Sequence, residues 1–186
     1  PFSCTYCFNH HMVEYYKKDL QCSFRQLKYV RHFPVSQVIE EIKLLLSNYK
    51  NITTFIFDDD LFTFYKDYLV EFCTAYRKTT ALPFVVNAHI NVFDQVRAEH
   101  LAAANCKIVK FGLESGSERI RKEVLNRKMS NEKIEKSIQL ANKSGLHSSV
   151  FLMIGLPGES LADLMATIKL TAISLPGRFR WSFFYP

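Results

Sequence analysis

The chain has 186 residues, a formal net charge of +6 and a hydrophobic fraction of 48%. Its length suits one domain or most of a larger one, and its composition excludes a disordered chain. No apolar run approaches the roughly 20 residues that a membrane span needs, and no signal peptide is visible after Pro1. The charges form no long basic block, which disfavours a nucleic-acid partner, and most of them, including the stretch 119–128, are expected on solvated surface.

Five cysteines stand at uneven spacing, at positions 4, 7, 22, 73 and 106. An odd count without a regular pattern is not typical of a secreted disulfide framework, so we expect a reducing, cytoplasmic compartment. Cys73 lies on a predicted apolar helix face and Cys106 just before a predicted strand, and both are expected to be small buried hydrophobic residues. Cys22 sits in a polar region and receives no assignment.

Apolar periodicity alternates between helical and extended patterns along the chain. The predicted helices span residues 34–49, 64–78, 93–104, 117–125, 130–143 and 160–174. The predicted strands span residues 52–57, 84–90, 108–113, 148–156 and 181–185. This alternation predicts a parallel sheet covered by helices. A first strand is expected before the chain and a last helix after it, so we interpret 1–186 as one domain truncated at both ends.

Polar and glycine-rich segments follow four of the predicted strands, at residues 58–60, 87–89, 114–116 and 155–159. Chemistry in parallel α/β folds gathers at the carboxyl ends of the strands. The positions of these segments therefore predict an enzyme with its site at that edge of the sheet.

Cys4 and Cys7 form a C-x-x-C pair near the start of the chain. A c-type haem site needs His directly after the second cysteine, where this chain has Phe8. A thioredoxin-like pair needs a preceding strand and a following helix, and a zinc site would recruit His10 or His11 without an apparent second ligand pair. Those two alternatives, and a chance pair of free thiols, stay open on the spacing alone.

The segment P-F-S-C-T-Y-C-F-N resembles the tail of the radical S-adenosylmethionine motif C-x-x-x-C-x-x-C, whose first cysteine would precede Pro1. Three thiolates on one loop can hold three irons of a [4Fe–4S] cluster and leave the fourth iron open. The resemblance implies that Cys4 and Cys7 are cluster ligands and that Tyr6 and Asn9 lie at the cofactor site. With two motif cysteines alone, the fragment is expected to bind a cluster poorly.

Two charged segments extend the resemblance. Asp59 and Asp60 resemble the acidic segment that lies near the amino group of S-adenosylmethionine in radical enzymes that often carry a cobalamin domain. The alternative is a pair of acids favoured by the macrodipole of the next helix. Arg127 is similar to a basic residue that faces the methionine carboxylate, and its alternative is an isolated surface arginine.

Two strand ends complete the resemblance. Glu114, followed by Ser115 in G-L-E-S-G, is similar to the residue that bonds the ribose hydroxyls, and two carboxylate oxygens suit a vicinal diol. The alternative is a capping box formed by Ser115 and Glu118. Ile154 and Gly155 resemble the segment whose backbone packs along adenine, and their alternative is an ordinary strand–turn–helix junction.

One position departs from the family pattern. His89 stands where similar proteins often carry an arginine near a strand end. A lone histidine in a strand is more often structural than catalytic, so we assign it no catalytic role.

The resemblance implies an α/β fold, a partial (β/α)6 TIM-like barrel of the radical S-adenosylmethionine type. It also implies reductive cleavage of S-adenosylmethionine at a [4Fe–4S] cluster, with electrons from a flavodoxin- or ferredoxin-type donor. That cleavage would start cobalamin-dependent methyl transfer or ring formation on a small-molecule substrate, with cobalamin bound by an upstream domain. The alternatives are a methylthiotransferase acting on RNA or protein, and a degenerate or zinc-binding α/β module without enzymatic activity.

Overall fold

The computed structural model describes residues 2–185. Its α-helices are α1 (Phe8–Asp19), α2 (Phe24–Leu27), α3 (Val35–Asn48), α4 (Lys66–Thr79), α5 (Gln95–Ala103), α6 (Asn131–Lys143) and α7 (Leu161–Ser174). Its strands are β1 (Phe55–Phe57), β2 (Phe84–Ala88), β3 (Cys106–Glu114), β4 (His147–Ile154) and β5 (Arg178–Phe183). A π-helical turn, Ile120–Val124, lies between β3 and α6. None of the helices within residues 2–185 is long and apolar enough to cross a membrane.

The five strands pair in parallel and follow the order β1-β2-β3-β4-β5. The predicted parallel sheet is therefore confirmed. Crossovers between parallel strands are right-handed, so a sheet that keeps sequence order carries its crossover helices on one face. The other face stays available for a site.

The core fills the space between the sheet and its helices. Alternate strand residues point to the helices, among them Val86 on β2, Phe111 on β3 and Leu152 on β4, and all three are fully buried. They pack against helix residues such as Leu69 and Ile138. Full burial of one such side chain stabilises the fold by about 1.5–3 kcal/mol, so this layer fixes the register that positions the site.

Several predicted boundaries were wrong. Helices α1 and α2 were not predicted, since α1 buries no residue and lacks the apolar face on which the periodicity depends. Strand β1 covers only the end of the predicted span 52–57, and β5 lies three residues earlier than the predicted start at 181. The predicted helix 117–125 is a π-helical turn, in which Leu125 N–H donates to Ile120 O at 3.0 Å.

The two cysteines predicted to be structural are buried. Cys73 lies on the core face of α4 and Cys106 begins β3, with exposed fractions of 1% and 2%. Burial raises the pKa of the Cys73 thiol to about 12 and also raises the pKa of Cys106. Both are therefore neutral thiols at physiological pH and belong to the core.

Candidate active site

A cavity of about 920 Å³ lies at the carboxyl ends of strands β1 to β3 and under the loop that carries the first two cysteines. The predicted site residues that line it are Cys4, Tyr6, Cys7, Asn9, Asp59, Asp60, Glu114 and Arg127. Residues from distant parts of the chain thus meet at the predicted edge of the sheet.

The two thiols lie on a tight loop held against the π-helical turn. Cys7 N–H donates to Cys4 O at 3.1 Å, and Thr5 N–H donates to Leu125 O at 3.2 Å. The Thr5 hydroxyl also donates to Val124 O at 2.6 Å. Cys4 is buried and Cys7 half-buried, and α1 begins directly after Cys7. The loop therefore presents both sulfur atoms to one cavity.

These donors fit part of an iron–sulfur site. Two cysteine thiols on one short loop match two of the ligands that a [4Fe–4S] cluster takes from such a motif. Within residues 2–185 no three His, Cys, Asp or Glu side chains are grouped to hold a metal ion. The first cysteine of the motif stays a prediction.

A buried hydrogen-bond network joins the thiol loop to β3. Arg127 Nη1 donates to Cys4 Sγ at 3.6 Å and to the Tyr6 hydroxyl at 3.1 Å. The Tyr6 hydroxyl in turn donates to Glu114 Oε1 at 3.2 Å. Arg127 Nη2 donates to Gly112 O at 2.5 Å. Arg127 is only 8% exposed, so the alternative of an isolated surface arginine is wrong.

Gly112 makes room for this network. A Cβ atom at Gly112 would collide with Glu114 Oε1 and would lie 3.2 Å from Arg127 Nη2. Glu114 itself has a left-handed backbone, with φ +67°, which costs a non-glycine residue about 1–2 kcal/mol. This turn at the end of β3 places the carboxylate over Gly112.

Burial changes the pKa values of the side chains in the network. Desolvation raises the pKa of Tyr6, and the nearby Glu114 carboxylate raises it further. Burial also raises the pKa of Glu114, while Arg127 and the Tyr6 hydrogen bond act in the opposite direction. Arg127 Nε is buried without a hydrogen-bond partner in the described part of the chain. The network therefore retains one unused cationic donor.

The loop after β3 is fixed by a buried arginine. Arg121, expected on solvated surface, is fully buried. Its guanidinium donates to Ser115 O at 2.5 Å, to Met129 O at 3.2 Å and to Asn131 Oδ1 at 2.5 Å. Burial lowers the pKa of Arg121 to about 10, so it remains charged at neutral pH. The surface expectation was wrong because this cation bonds carbonyl oxygens of the segments on either side of the π-helical turn.

The same loop packs against α7. A Cβ atom at Gly116 would collide with backbone atoms of Ala166 and Thr167. The Ser117 hydroxyl donates to Asp163 Oδ1 at 2.6 Å, and Arg119 Nη2 donates to Asp163 Oδ2 at 2.6 Å. Because the loop after β3 packs this closely on α7, the turn at Glu114 is held in place.

The capping box suggested for Ser115 and Glu118 is not formed. Ser115 Oγ accepts from Ser117 N–H at 3.2 Å, whereas Glu118 Oε1 accepts from Asn131 N–H at 2.7 Å. Ser115 is fully buried and does not line the cavity. Its role is to shape the loop that follows Glu114.

The acidic segment closes another wall of the cavity. Asn9 Nδ2 donates to Asp60, and Asp59 Oδ1 accepts from Leu61 N–H at 2.8 Å. The next helix, α4, begins only at Lys66, so these acids do not occupy its first turn. The macrodipole alternative is therefore not supported.

Ile154 and Gly155 lie outside the cavity lining. Ile154 O accepts from Phe184 N–H at 2.8 Å, and Gly155 N–H donates to Glu159 Oε2 at 2.8 Å. The first contact joins the ends of β4 and β5, and the second lies in the junction between β4 and α7. A role for these two residues along adenine stays a prediction.

His89 is a neutral residue of the cavity wall. Its ring stacks on Phe2 with centroids 3.8 Å apart, and its Nδ1 accepts from Asn91 N–H at 3.1 Å. Burial and the nearby Arg127 lower the pKa of His89 to about 3. Since Nδ1 accepts a hydrogen bond, the ring proton resides on Nε2.

Sequence reasoning missed Lys110 as a cavity residue, although a signal was present. Lys110, Gly112 and Glu114 alternate along β3 with buried apolar residues. Period-two alternation places such a set on one face of the sheet. The pattern of β3 alone therefore predicts a lysine on the same face as the glutamate.

Known proteins similar to the chain include the following three. An uncharacterized methyltransferase of Pyrococcus horikoshii is 28% identical over 170 residues, which cover 91% of this chain and 34% of that protein. The anaerobic magnesium-protoporphyrin IX monomethyl ester cyclase of Rubrivivax gelatinosus is 23% identical over 193 residues, which cover 100% of this chain and 31% of the cyclase. The structure of the radical S-adenosylmethionine methyltransferase TsrM from Kitasatospora setae, with cobalamin and a [4Fe–4S] cluster bound, matches with a TM-score of 0.71 at 18% identity, over 80% of this chain and 30% of that one.

The chain thus spans about a third of the length of the curated relatives it matches. The likeness to TsrM shows the fold and confirms the predicted TIM-like α/β class. The model of the radical S-adenosylmethionine superfamily matches residues 1–171. The chain therefore belongs to the radical S-adenosylmethionine superfamily, whose enzymes use a [4Fe–4S] cluster and S-adenosylmethionine.

Proposed function

We propose that the protein transfers a methyl group to a small-molecule substrate held in the cavity, with cobalamin as a further cofactor. The observation that supports this proposal is the series of hydrogen bonds that runs from Cys4 through Arg127 and Tyr6 to Glu114. It joins the thiol loop to the predicted ribose-binding carboxylate. The methyltransferase relative and the cobalamin in the TsrM structure support methyl transfer. The cyclase relative makes ring formation the other outcome of the same chemistry.

The thiols of Cys4 and Cys7 would hold two irons of the cluster. When bound, the cluster supplies the electron, drawn from a flavodoxin- or ferredoxin-type donor, that breaks a carbon–sulfur bond of S-adenosylmethionine. Cys4 is buried beside the Arg127 guanidinium. The guanidinium thus places a positive charge next to a sulfur atom that would bind iron.

The other residues of the network bind and orient S-adenosylmethionine. Glu114 accepts from Tyr6 through Oε1, so Oε2 remains free for a ribose hydroxyl. The unused Nε of Arg127 suits the methionine carboxylate, because a charged donor pairs strongly with an anion. Asp59 and Asp60 supply the negative charge that suits the amino group.

The test uses the full-length protein, reconstituted anaerobically with iron and sulfide and supplied with cobalamin, S-adenosylmethionine and dithionite. Mass spectrometry should detect 5′-deoxyadenosine together with S-adenosylhomocysteine, the product left when S-adenosylmethionine gives up its methyl group. 5′-Deoxyadenosine alone would favour ring formation. The absence of both products would overturn the proposal.

Two cysteine variants make the test specific. Cys7→Ala should lose the cluster absorbance and both products, because its thiol lies in the cavity. Cys22→Ala is the matched control, since Cys22 is half-buried in the connection from α1 to α2 and does not line the cavity. A Cys7→Ala protein that still holds a full cluster would contradict the ligand assignment.

A further inference from the structure

A row of polar and charged side chains crosses the cavity face of the sheet. Strand register aligns Asn87 with Lys110, and Lys110 with Ser149. The same register aligns Ser149 with Arg178. Interiors of parallel barrels are usually filled by bulky branched apolar residues. Polar and charged residues in their place indicate a ligand rather than packing.

Asn87 and Lys110 are the members of this row that line the cavity, and the cation of the two is Lys110. Its neighbours along β3, Val109 and Phe111, are fully buried against the helices, so Lys110 points to the opposite face. Its Nζ lies 3.5 Å from Asp58 Oδ1, and the Asp58 side chain is 79% exposed. Exposed pairs contribute little, and an ammonium group has three donors. Lys110 therefore has donors to offer a ligand.

Arg180 brings a second cation to this face. Phe179 and Trp181 line an apolar groove against α7, so alternation along β5 directs Arg180 to the cavity side of the sheet. Arg180 is in register with Phe151, which lines the cavity. Lys110 and Arg180 lie two strands apart, roughly 10 Å across the sheet. Both long side chains can reach one group placed between them.

Asp58 is the cavity carboxylate beside Lys110, and the other cavity carboxylates have partners of their own, with Glu14 paired to Lys17. Asp59 accepts from Leu61 N–H, and Asp60 accepts from Asn9. Glu114 accepts from Tyr6. These three acids are engaged at the carboxyl ends of the strands, whereas Lys110 lies deeper in the cavity.

We propose that Lys110, on the floor of the cavity, binds an anionic group of the substrate, a carboxylate or a phosphate, and that Arg180, which is exposed on the same face of the sheet outside the cavity lining, reaches the same group. This inference rests on the proposed function, which places the reacting part of the substrate near the Glu114 network. Lys110 lies two residues before Gly112, which is roughly 7 Å along the strand. The Glu114 network lies over Gly112. The charged group of the substrate would thus bind deeper along β3 than the part of the substrate that faces the Glu114 network.

The test measures binding of two probes, inorganic phosphate and succinate, to the full-length, cluster-loaded protein by isothermal titration calorimetry. Lys110→Gln should weaken binding of the preferred probe about tenfold or more, because a charged hydrogen bond is lost. Arg180→Gln should weaken it less, since Arg180 lies at the edge of the described sheet. Lys107→Gln is the matched control, because Lys107 lies on the same strand, is exposed and does not line the cavity.

The outcomes separate the inference from the proposed function. Tighter binding of phosphate identifies a phosphate group, and tighter binding of succinate a carboxylate. The inference is overturned if the unaltered protein binds neither probe, or if Lys110→Gln binds as tightly as Lys107→Gln. Formation of 5′-deoxyadenosine without added substrate tests the proposed function by itself, and Lys107→Gln should leave it unchanged.

Discussion

Replacing the buried arginine behind the site should destabilise the fold strongly. Arg121→Met keeps much of the side-chain volume but removes every donor from a fully buried position. The carbonyl oxygens of Ser115 and Met129 then lose their partner, whereas Asn131 is partly exposed and can bond to water. An unsatisfied buried acceptor costs about 2 kcal/mol. Two of them predict a loss of about 4 kcal/mol in the free energy of unfolding.

Urea denaturation followed by circular dichroism measures this loss. In a chain of this length, about 4 kcal/mol corresponds to a fall in Tm of about 8–16 °C. Lys122→Met is the matched control, because Lys122 is exposed on the same π-helical turn and should change stability by less than about 0.5 kcal/mol. A loss below about 1 kcal/mol for Arg121→Met, or an equal loss for the control, would refute the reasoning.

Three further substitutions test the network and its support. Tyr6→Phe should raise the pKa of Glu114, because it removes a hydrogen bond that lowers it; carboxylate infrared titration would show this, and an unchanged pKa would contradict the contact. Asp163→Asn should make the free energy of unfolding depend less on pH in the acid range. The pKa of Asp163 is depressed by hydrogen bonds from neighbouring side chains, so its contribution is present above its unfolded pKa of about 4 and is lost as pH falls; denaturation between pH 2 and 6 measures it, and an unchanged pH dependence would count against it. Gly116→Ala should cost about 3 kcal/mol in thermal melts, because the new methyl group meets the backbone of Thr167; a neutral result would disprove the close packing.

Much of the fold was predictable because its signal is local. Buried strands such as β2 and β4 appear as apolar runs, and the periodicity of α6 places Ile134 and Ile138 on its buried face. Helix α1 was missed because it buries no residue and therefore shows no apolar face. Its position depends on tertiary contacts such as the Asn9 hydrogen bond to Asp60.

The site was predictable in its members but not in its connections. Resemblance to the family pointed to Glu114 and Arg127, whereas Lys110 was missed although the alternation along β3 indicates it. No sequence pattern indicates that Tyr6 bridges Glu114 to Arg127, because those contacts join residues more than 100 positions apart. Likewise, the burial of Arg121 depends on a π-helical turn that helical periodicity does not reveal.

The left-handed backbone at Glu114 has a conformational cost that the site requires. Glycine adopts φ near +67° freely, so Glu114→Gly would relieve about 1–2 kcal/mol of conformational strain. The same change deletes the carboxylate that the turn presents to the cavity. That carboxylate is also the anion beside buried Arg127 and the acceptor of the Tyr6 hydroxyl, and removing one partner of a buried ion pair costs about 3–5 kcal/mol. The cost of the lost partner exceeds the strain relieved, so a directed-evolution experiment that scores only soluble yield is expected to retain glutamate here.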